Sequence, residues 1–301
     1  MPDRLPDSPA MRASLIGALA VCASGCSPVS FGFLHPAGPV ASAQRELFFW
    51  IVGLSMVVVL PVLLLTPWLL WRYRYGQQQS AYRPRWEFSL PMEVLSWGVP
   101  VLVVILLGVL TWERTHQLDP YRPFPGPAPA LEVQAIALDW KWLFIYPQQG
   151  VATVNELVIP SGRGVHLSLT SATVMQSLMI PRLAGQIYAM AGMNTQQYLQ
   201  ADAPGEFTGR NTQFNGFGFQ EQRFNTRAVE PQAFEQWVQE TRQKSTTLDC
   251  ASYLQLSRTP SLVSPDRYGS VQPALFEWVM HSFHAPSHRA CDTASLEIPH
   301  E

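Results

Sequence analysis

Two long stretches of the chain are apolar on every face rather than on one. Residues 47–70 carry no ionisable side chain, and neither do residues 94–112. A hydrocarbon core of ~30 Å is crossed by roughly 20 helical residues, so each stretch predicts a membrane-spanning helix. Together they predict a hairpin over residues 46–114. Pro61, Pro67 and Pro100 lie inside these runs, where a spanning helix tolerates proline because its neighbours satisfy the freed carbonyls. Trp50, Trp68, Trp71, Trp97 and Trp112 gather mostly near the ends, as interfacial indoles do. Arg72, Arg74, Arg83 and Arg85 flank or occupy the connector, residues 73–89, with Glu87 alone opposing them. Positive charge is retained on the cytoplasmic side, so the connector is expected there and both flanking segments outside.

Beyond residues 115–130, a proline-rich linker, the period changes. Leu131, Val133, Ala135 and Ala137 alternate with other residues, as in a half-buried strand. Similar short runs follow at residues 155–159, 165–170, 177–180, 186–190 and 224–228, separated by turns such as Gln149-Gly150, Ser161-Gly162 and Pro204-Gly205. This spacing predicts an all-β sandwich or barrel over residues 131–230. Pro231 opens an expected helix with Phe234, Trp237 and Val238 on one face. Of the C-terminal segment, residues 231–301, residues 245–272 read as irregular and 273–283 as a short amphipathic helix.

The N-terminus reads as a processed leader. Arg12 precedes a short apolar run, residues 15–21, which ends at Ala23-Ser24-Gly25-Cys26. This pattern resembles a bacterial lipoprotein signal over residues 1–25, with Cys26 taking the lipid and residues 26–45 following outside. An uncleaved signal anchor competes with it, and Met11 is an alternative start. Cys22 is the weaker lipid candidate because bulky Val21 precedes it. Cys250 and Cys291 then remain on the oxidising side, where a disulfide persists; paired and free thiols both fit the sequence.

Charged residues are 14% of the chain and the formal net charge is -2. The first value suits a membrane protein, and the second gives no reason to bind nucleic acid. No Ser/His/Asp set with a supporting motif, phosphate-binding glycine loop or recognisable pair of acids is present, so no catalytic constellation is expected.

The order of these parts resembles subunit II of haem–copper oxidases. Glu93, Trp97 and Pro100 stand at the start of the second membrane helix, as in that family. The aromatic segment Asp139-Trp140-Lys141-Trp142-Leu143-Phe144-Ile145-Tyr146 follows, then residues 170–181 around Thr170-Ser171, then residues 185–193. The resemblance covers about residues 45–245 and implies a cupredoxin-like sandwich. In copper-bearing members the sandwich holds two copper ions through two thiolates, two imidazoles and a thioether, soft ligands suited to copper. Here those positions read Gln176, Asn211, Asn215, Phe219 and Gln222, and no cysteine occurs between residues 27 and 249. An amide cannot replace a bridging thiolate, so no dinuclear copper centre is expected. That departure resembles the bo-type, ubiquinol-oxidising branch of the family.

The resemblance implies a non-catalytic subunit of a proton-translocating ubiquinol oxidase in the bacterial inner membrane. No cofactor is expected in this chain; the haems and catalytic copper would belong to subunit I. The implied partners are subunit I, subunits III and IV and membrane lipid, with neither cytochrome c nor nucleic acid among them. The resemblance implies that Glu93 passes protons toward subunit I, against the competing reading of an interfacial acid. Trp140 and Trp142 are expected to pack on subunit I.

Other clusters suggest less. Met175, Met179, Met190 and Met193 offer thioethers for Cu(I), against a reading as core fillers. His281, His284, His288 and Cys291 have a metal-like spacing that Pro286 interrupts, so an exposed tail is expected. His166 reads as an isolated structural residue. A rival class, a free-standing lipid-anchored periplasmic binding or copper-assembly factor, has only the methionines in its favour.

Overall fold

A computed structural model describes residues 32–74, 88–124, 129–259 and 265–283. The leader, Cys26, most of the connector and the tail beyond Phe283 lie outside the described residues. Helix α1 (Pro39–Arg72) and helix α2 (Leu90–Gln117) extend past the apolar runs at both ends. Both are long and apolar enough to cross a membrane, and α1 measures roughly 51 Å at 1.5 Å per residue. Of their side chains only Ala41 and Val103 are buried in the isolated chain, leaving an apolar surface that only lipid or another subunit covers in a membrane. Near the sandwich an ion pair joins the two helices, Arg114 Nη2 to Glu46 Oε1 at 3.1 Å. At the opposite end Arg72 and Arg74 lie over Trp68 and Trp71.

The external part is a two-sheet sandwich. One sheet contains β1 (Leu131–Leu138), β2 (Lys141–Tyr146), β3 (Val151–Val154), β5 (Val165–Ser171), β8 (Thr195–Leu199) and β12 (Asp266–Tyr268), ordered β12-β3-β2-β1-β5-β8. The other contains β4 (Glu156–Pro160), β6 (Gln176–Ile180), β7 (Ala184–Ala189), β9 (Gly205–Asn211) and β10 (Arg223–Val229), ordered β4-β10-β9-β6-β7. Trp142, Phe144, Leu157, Leu178 and Phe224 fill the space between them. Tyr146 Oη donates to the Val158 carbonyl at 3.0 Å and accepts from the Val158 N–H at 2.8 Å, so one buried phenol ties the sheets together.

The six-stranded sheet is covered on its outer face too. Helix α3 (Pro231–Arg242) is not part of that cover: it buries Phe234, Trp237 and Val238 in the core between the sheets, as its apolar spacing predicts. The region expected to be irregular instead forms β11 (Thr247–Leu248), helix α4 (Cys250–Arg258) and β13 (Ser270–Val271), followed by helix α5 (Leu275–Ser282). Asp249 caps α4 by accepting from Ser252 N–H at 2.8 Å. Leu248, Tyr253, Leu256, Phe276 and Trp278 pack on Ile136, Leu138, Leu143 and Ile145, forming a second core. This explains why β2 is buried at every position, like a strand covered on both faces. Cys250 is disulfide-bonded, and its partner lies outside the described residues.

Arg267 of β12 fastens this cap. Its Nε and Nη2 donate to Glu156 at 2.7 and 3.0 Å, while Arg227 Nη1 donates at 3.1 Å. Burial opposes ionisation of Glu156, but the hydrogen bonds and charge of Arg267, then those of Arg227, outweigh it and hold the carboxyl below its ordinary range.

The first membrane helix is rooted in the sandwich. Ala37 N–H donates to the Arg182 carbonyl at 2.8 Å, and Asp202 N–H donates to the Ala37 carbonyl at 2.9 Å. A Cβ on Gly38 would stand 2.1 Å from the Gln200 carbonyl oxygen, so only glycine fits this approach.

Candidate functional site

Four of the five positions where copper ligands were expected to be missing converge at one end of the sandwich. Gln176 opens β6, Asn211 closes β9, Asn215 lies in the following loop and Gln222 precedes β10. Gln222 is the hub. Its Oε1 accepts from Asn211 Nδ2 at 3.0 Å and Asn215 Nδ2 at 2.8 Å. Its Nε2 donates to Gln176 Oε1 at 2.6 Å and, at 3.4 Å, to the Leu138 carbonyl. Gln176 Nε2 also donates to the Leu138 carbonyl, at 3.2 Å, and to Thr173 Oγ1 at 3.4 Å. Asn211 Oδ1 accepts the backbone N–H groups of Ser177 and Gln213, both at 3.0 Å. Gln176, Asn211 and Gln222 are all buried. Phe219, the fifth position, stays outside the cluster and meets Phe214 edge-on at 5.7 Å.

These side chains do not fit a dinuclear copper centre. They offer neutral amides in place of thiolates, imidazole and thioether, which are the ligands copper of this kind requires. The amide oxygens of Asn211, Gln176 and Gln222 already accept hydrogen bonds from within the chain. Among the described residues no group of three or more His, Cys, Asp and Glu is placed to hold a metal ion.

Around the cluster the surface is apolar. Val174 and Met175 from the β5–β6 loop, and Phe214 and Phe217 from the β9–β10 loop, are exposed, Phe217 at 99%. Trp140 turns the β1–β2 hairpin with φ of 59° and lies over Gly218, where a Cβ would stand 2.4 Å from the indole. Thr173 Oγ1 donates to Asp139 at 2.9 Å, tying two of these loops together.

Several expectations need correction. Trp142 does not reach a surface: it is fully buried between the sheets against Phe144 and Phe224. It lies on the inward face of a strand that the C-terminal cap covers from the other side, so it serves the core. The methionines are not core fillers either. Met175 and Met193 are exposed, and Met179 and Met190 are half-buried. His166 is not isolated, since its Nδ1 lies 2.6 Å from Glu132 Oε2, its Nε2 lies 3.2 Å from Gln196 Oε1 and its ring stacks on Tyr198. Glu93 stands in the first turn of α2, exposed, where a carboxylate complements the helix dipole. His284, His288 and Cys291 lie outside the described residues.

Sequence reasoning missed a recess of about 320 Å³ between the roots of the membrane helices and the edge of the sandwich. Gln44, Gln117, Asp119, Arg122 and Gln197 line it. The polar residues just past each apolar run were the available signal.

The fold is thus a helical hairpin carrying a two-sheet sandwich, with buried amides bonded to one another at one end of the sandwich. No protein-family model matches the chain. Among curated proteins it is 39% identical over 279 residues to cytochrome bo(3) ubiquinol oxidase subunit 2 of Pseudomonas putida, covering 91% of this chain and 88% of the relative. It is 38% identical over 276 residues to ubiquinol oxidase subunit 2 of Acetobacter aceti, covering 90% and 89%. It is 38% identical over 234 residues to quinol oxidase subunit 2 of Bacillus subtilis, covering 77% and 72%. Among solved structures it is similar to the periplasmic domain of cytochrome oxidase subunit II of Bradyrhizobium japonicum, with a TM-score of 0.37 and 23% identity over 38% of this chain and 94% of the other. The chain belongs to the quinol oxidase subunit 2 family. It is therefore a subunit of an oxidoreductase complex, with subunit I as a partner, and its two membrane-capable helices fit an inner-membrane position.

Proposed function

We propose that this chain is a copper-free, non-catalytic subunit II of a proton-translocating ubiquinol oxidase. Electrons pass from ubiquinol to haem and copper centres held by subunit I, and on to dioxygen, without crossing the sandwich. The amide cluster carries this reading. A metal at Gln176, Asn211, Asn215 and Gln222 would have to displace hydrogen bonds among buried amides and offer those amides nothing they bind well. With no relay in the sandwich, cytochrome c has no acceptor here.

The remaining role is to cover and position subunit I. The apolar hairpin surface packs on its membrane helices, and the exposed Val174, Met175, Phe214 and Phe217 dock on its outer loops, with Trp140 behind them. Exposed aromatic and thioether side chains of this kind mark protein interfaces. Subunits III and IV complete the complex. Cys26 carries lipid, the connector is cytoplasmic and the sandwich is periplasmic, as the arginine-rich connector favours. Glu93 then stands at the cytoplasmic end of α2 and delivers protons toward subunit I.

Optical and metal analysis of the purified complex, with ubiquinol and reduced cytochrome c as competing donors, tests this. Copper accounted for by subunit I alone, with oxygen consumption driven by quinol and not by cytochrome c, is the expected result. A mixed-valence copper signal from this chain, or turnover driven by cytochrome c, refutes it.

A further inference from the structure

The outward face of the β9–β10 ladder holds two rungs of opposite electrostatic character. Register places Glu206 opposite Arg227, Thr208 opposite Asn225 and Arg210 opposite Arg223, while the alternate residues of both strands turn into the core. The first rung is complementary, with Arg227 Nε 4.0 Å from Glu206 Oε1. The last sets two guanidinium-bearing residues against each other. Residues directly opposite in an antiparallel pair have Cβ atoms roughly 4.5–5.5 Å apart, and like charges at that spacing destabilise the pair. Arg210 is half-buried and Arg223 exposed, and neither forms an ion pair or a side-chain hydrogen bond among the described residues. Glu221, two residues before Arg223, is exposed and pairs with neither. With 20 Lys+Arg against 22 Asp+Glu in the chain, this juxtaposition is not the by-product of a generally basic surface.

The position of this rung is the second observation. Asn211 follows Arg210 and Gln222 precedes Arg223, both buried members of the amide cluster. The loop that springs from the rung carries Phe214 and Phe217, 73% and 99% exposed. On the neighbouring strand β6 the residue opposite Arg210 is the half-buried Met179. The two arginines therefore stand at the base of an apolar tip that nothing in this chain covers. Aromatic residues, methionine and arginine are the side chains enriched at protein interfaces, and arginine there grips carboxylates through parallel hydrogen bonds.

We infer that the Arg210–Arg223 rung receives a carboxylate from an acidic loop of subunit I, within the same contact that covers Phe214 and Phe217. The inference rests on the reading that this tip docks on subunit I, and names the chemistry of the partner surface. Arg210 Nε is enclosed, so the incoming carboxylate meets the terminal nitrogens of the two guanidiniums. It neutralises a pair that the ladder alone leaves in repulsion, and the docking face becomes electrostatically complete only in the complex. A basic or neutral surface set against this rung would add to the repulsion or leave it standing, so the rung selects an acidic partner.

Zero-length cross-linking in the intact oxidase complex tests this. The wild-type chain has lysine only at 141, which is buried, and at 244, so it serves as the control. Arg223→Lys keeps the charge on an exposed side chain and supplies an amine. A water-soluble carbodiimide should join that amine to a neighbouring carboxylate as an amide, and peptide mass spectrometry should place the bond on an Asp or Glu of subunit I. Arg210→Gln and Arg223→Gln should each speed release of this chain from the complex in mild detergent by roughly fivefold at low ionic strength, an effect that fades as salt rises. Phe217→Ala should speed release at every salt concentration. A bond to an acid of this chain, to another subunit or to lipid, no bond at all, or wild-type release in both glutamine variants overturns the inference. Phe217→Ala separates the two failures. Faster release in that variant alone leaves the docking face standing without its charged rung, whereas wild-type release in all three variants removes the docking reading itself.

Discussion

Replacing Gln222 by leucine isolates the energetic role of the amide cluster. The substitution keeps the buried volume similar but removes an acceptor shared by Asn211 and Asn215 and a donor to Gln176. Leu138 keeps the hydrogen bond from Gln176 at 3.2 Å, and Asn215 is half-buried and can turn to water. Two fully buried groups are left unpaired: the Asn211 amide nitrogen and the Gln176 amide oxygen. At about 2 kcal/mol each they cost about 4 kcal/mol, and burying leucine in place of an amide returns about 1–2. The net loss is about 2–3 kcal/mol, a fall in Tm of roughly 4–12 °C for a domain of this size. Thermal unfolding of the purified complex, followed by tryptophan fluorescence, measures it. Asn215→Ala at the rim should cost under about 1 kcal/mol. The double variant Gln176→Leu/Gln222→Leu should lose less than the sum of its parts, because each change removes the partner the other strands. A Gln222→Leu protein that melts within about 1 °C of wild type, or an Asn215→Ala protein that melts lower than Gln222→Leu, refutes the reasoning.

Three further outcomes are expected. Glu156 has a folded pKa below its unfolded value, so its contribution is full above about pH 4.3 and is lost as pH falls through the folded pKa. Glu156→Gln should therefore lower stability at neutral pH by about 2 kcal/mol, below the value for enclosed pairs because both arginines are partly exposed, and should flatten the acid limb of a Tm-against-pH curve. Gly38→Ala forces a methyl against the Gln200 carbonyl and should cost about 1–3 kcal/mol, with faster limited proteolysis at residues 32–38. Glu93→Ala should slow quinol turnover while haem content and subunit composition stay unchanged; wild-type proton-uptake kinetics in that variant would remove the proton role.

The hairpin was legible because an uncharged run of helical length has few other uses, and the sandwich because its strands alternate. The parts that escaped are those whose pattern depends on distant segments. β2 is buried at every position, Lys141 included, because α4 and α5 cover its far side, and without that cap Trp142 reads as a surface residue. β8, Thr195–Leu199, carries no apolar alternation, since its inward positions are Thr195, Gln197 and Leu199. α4 is only nine residues long, and Asp249 three residues before Ser252 was its one local signal. The five altered ligand positions could be read singly as absences. That four of them bond to one another follows only from the meeting of β6, β9 and β10 at one end of the fold.

The rooting of α1 at Gly38 makes the membrane anchor and the outer domain a single lever. Backbone bonds at Ala37 and Asp202 leave no swivel between them, so tilting the roughly 51 Å shaft by one degree shifts its far end by about 0.9 Å relative to the sandwich. Grafting this outer domain onto a foreign anchor would therefore require carrying residues 32–45 with it, since a hinge inserted there would uncouple the far end of the hairpin from the shoulder that holds it upright.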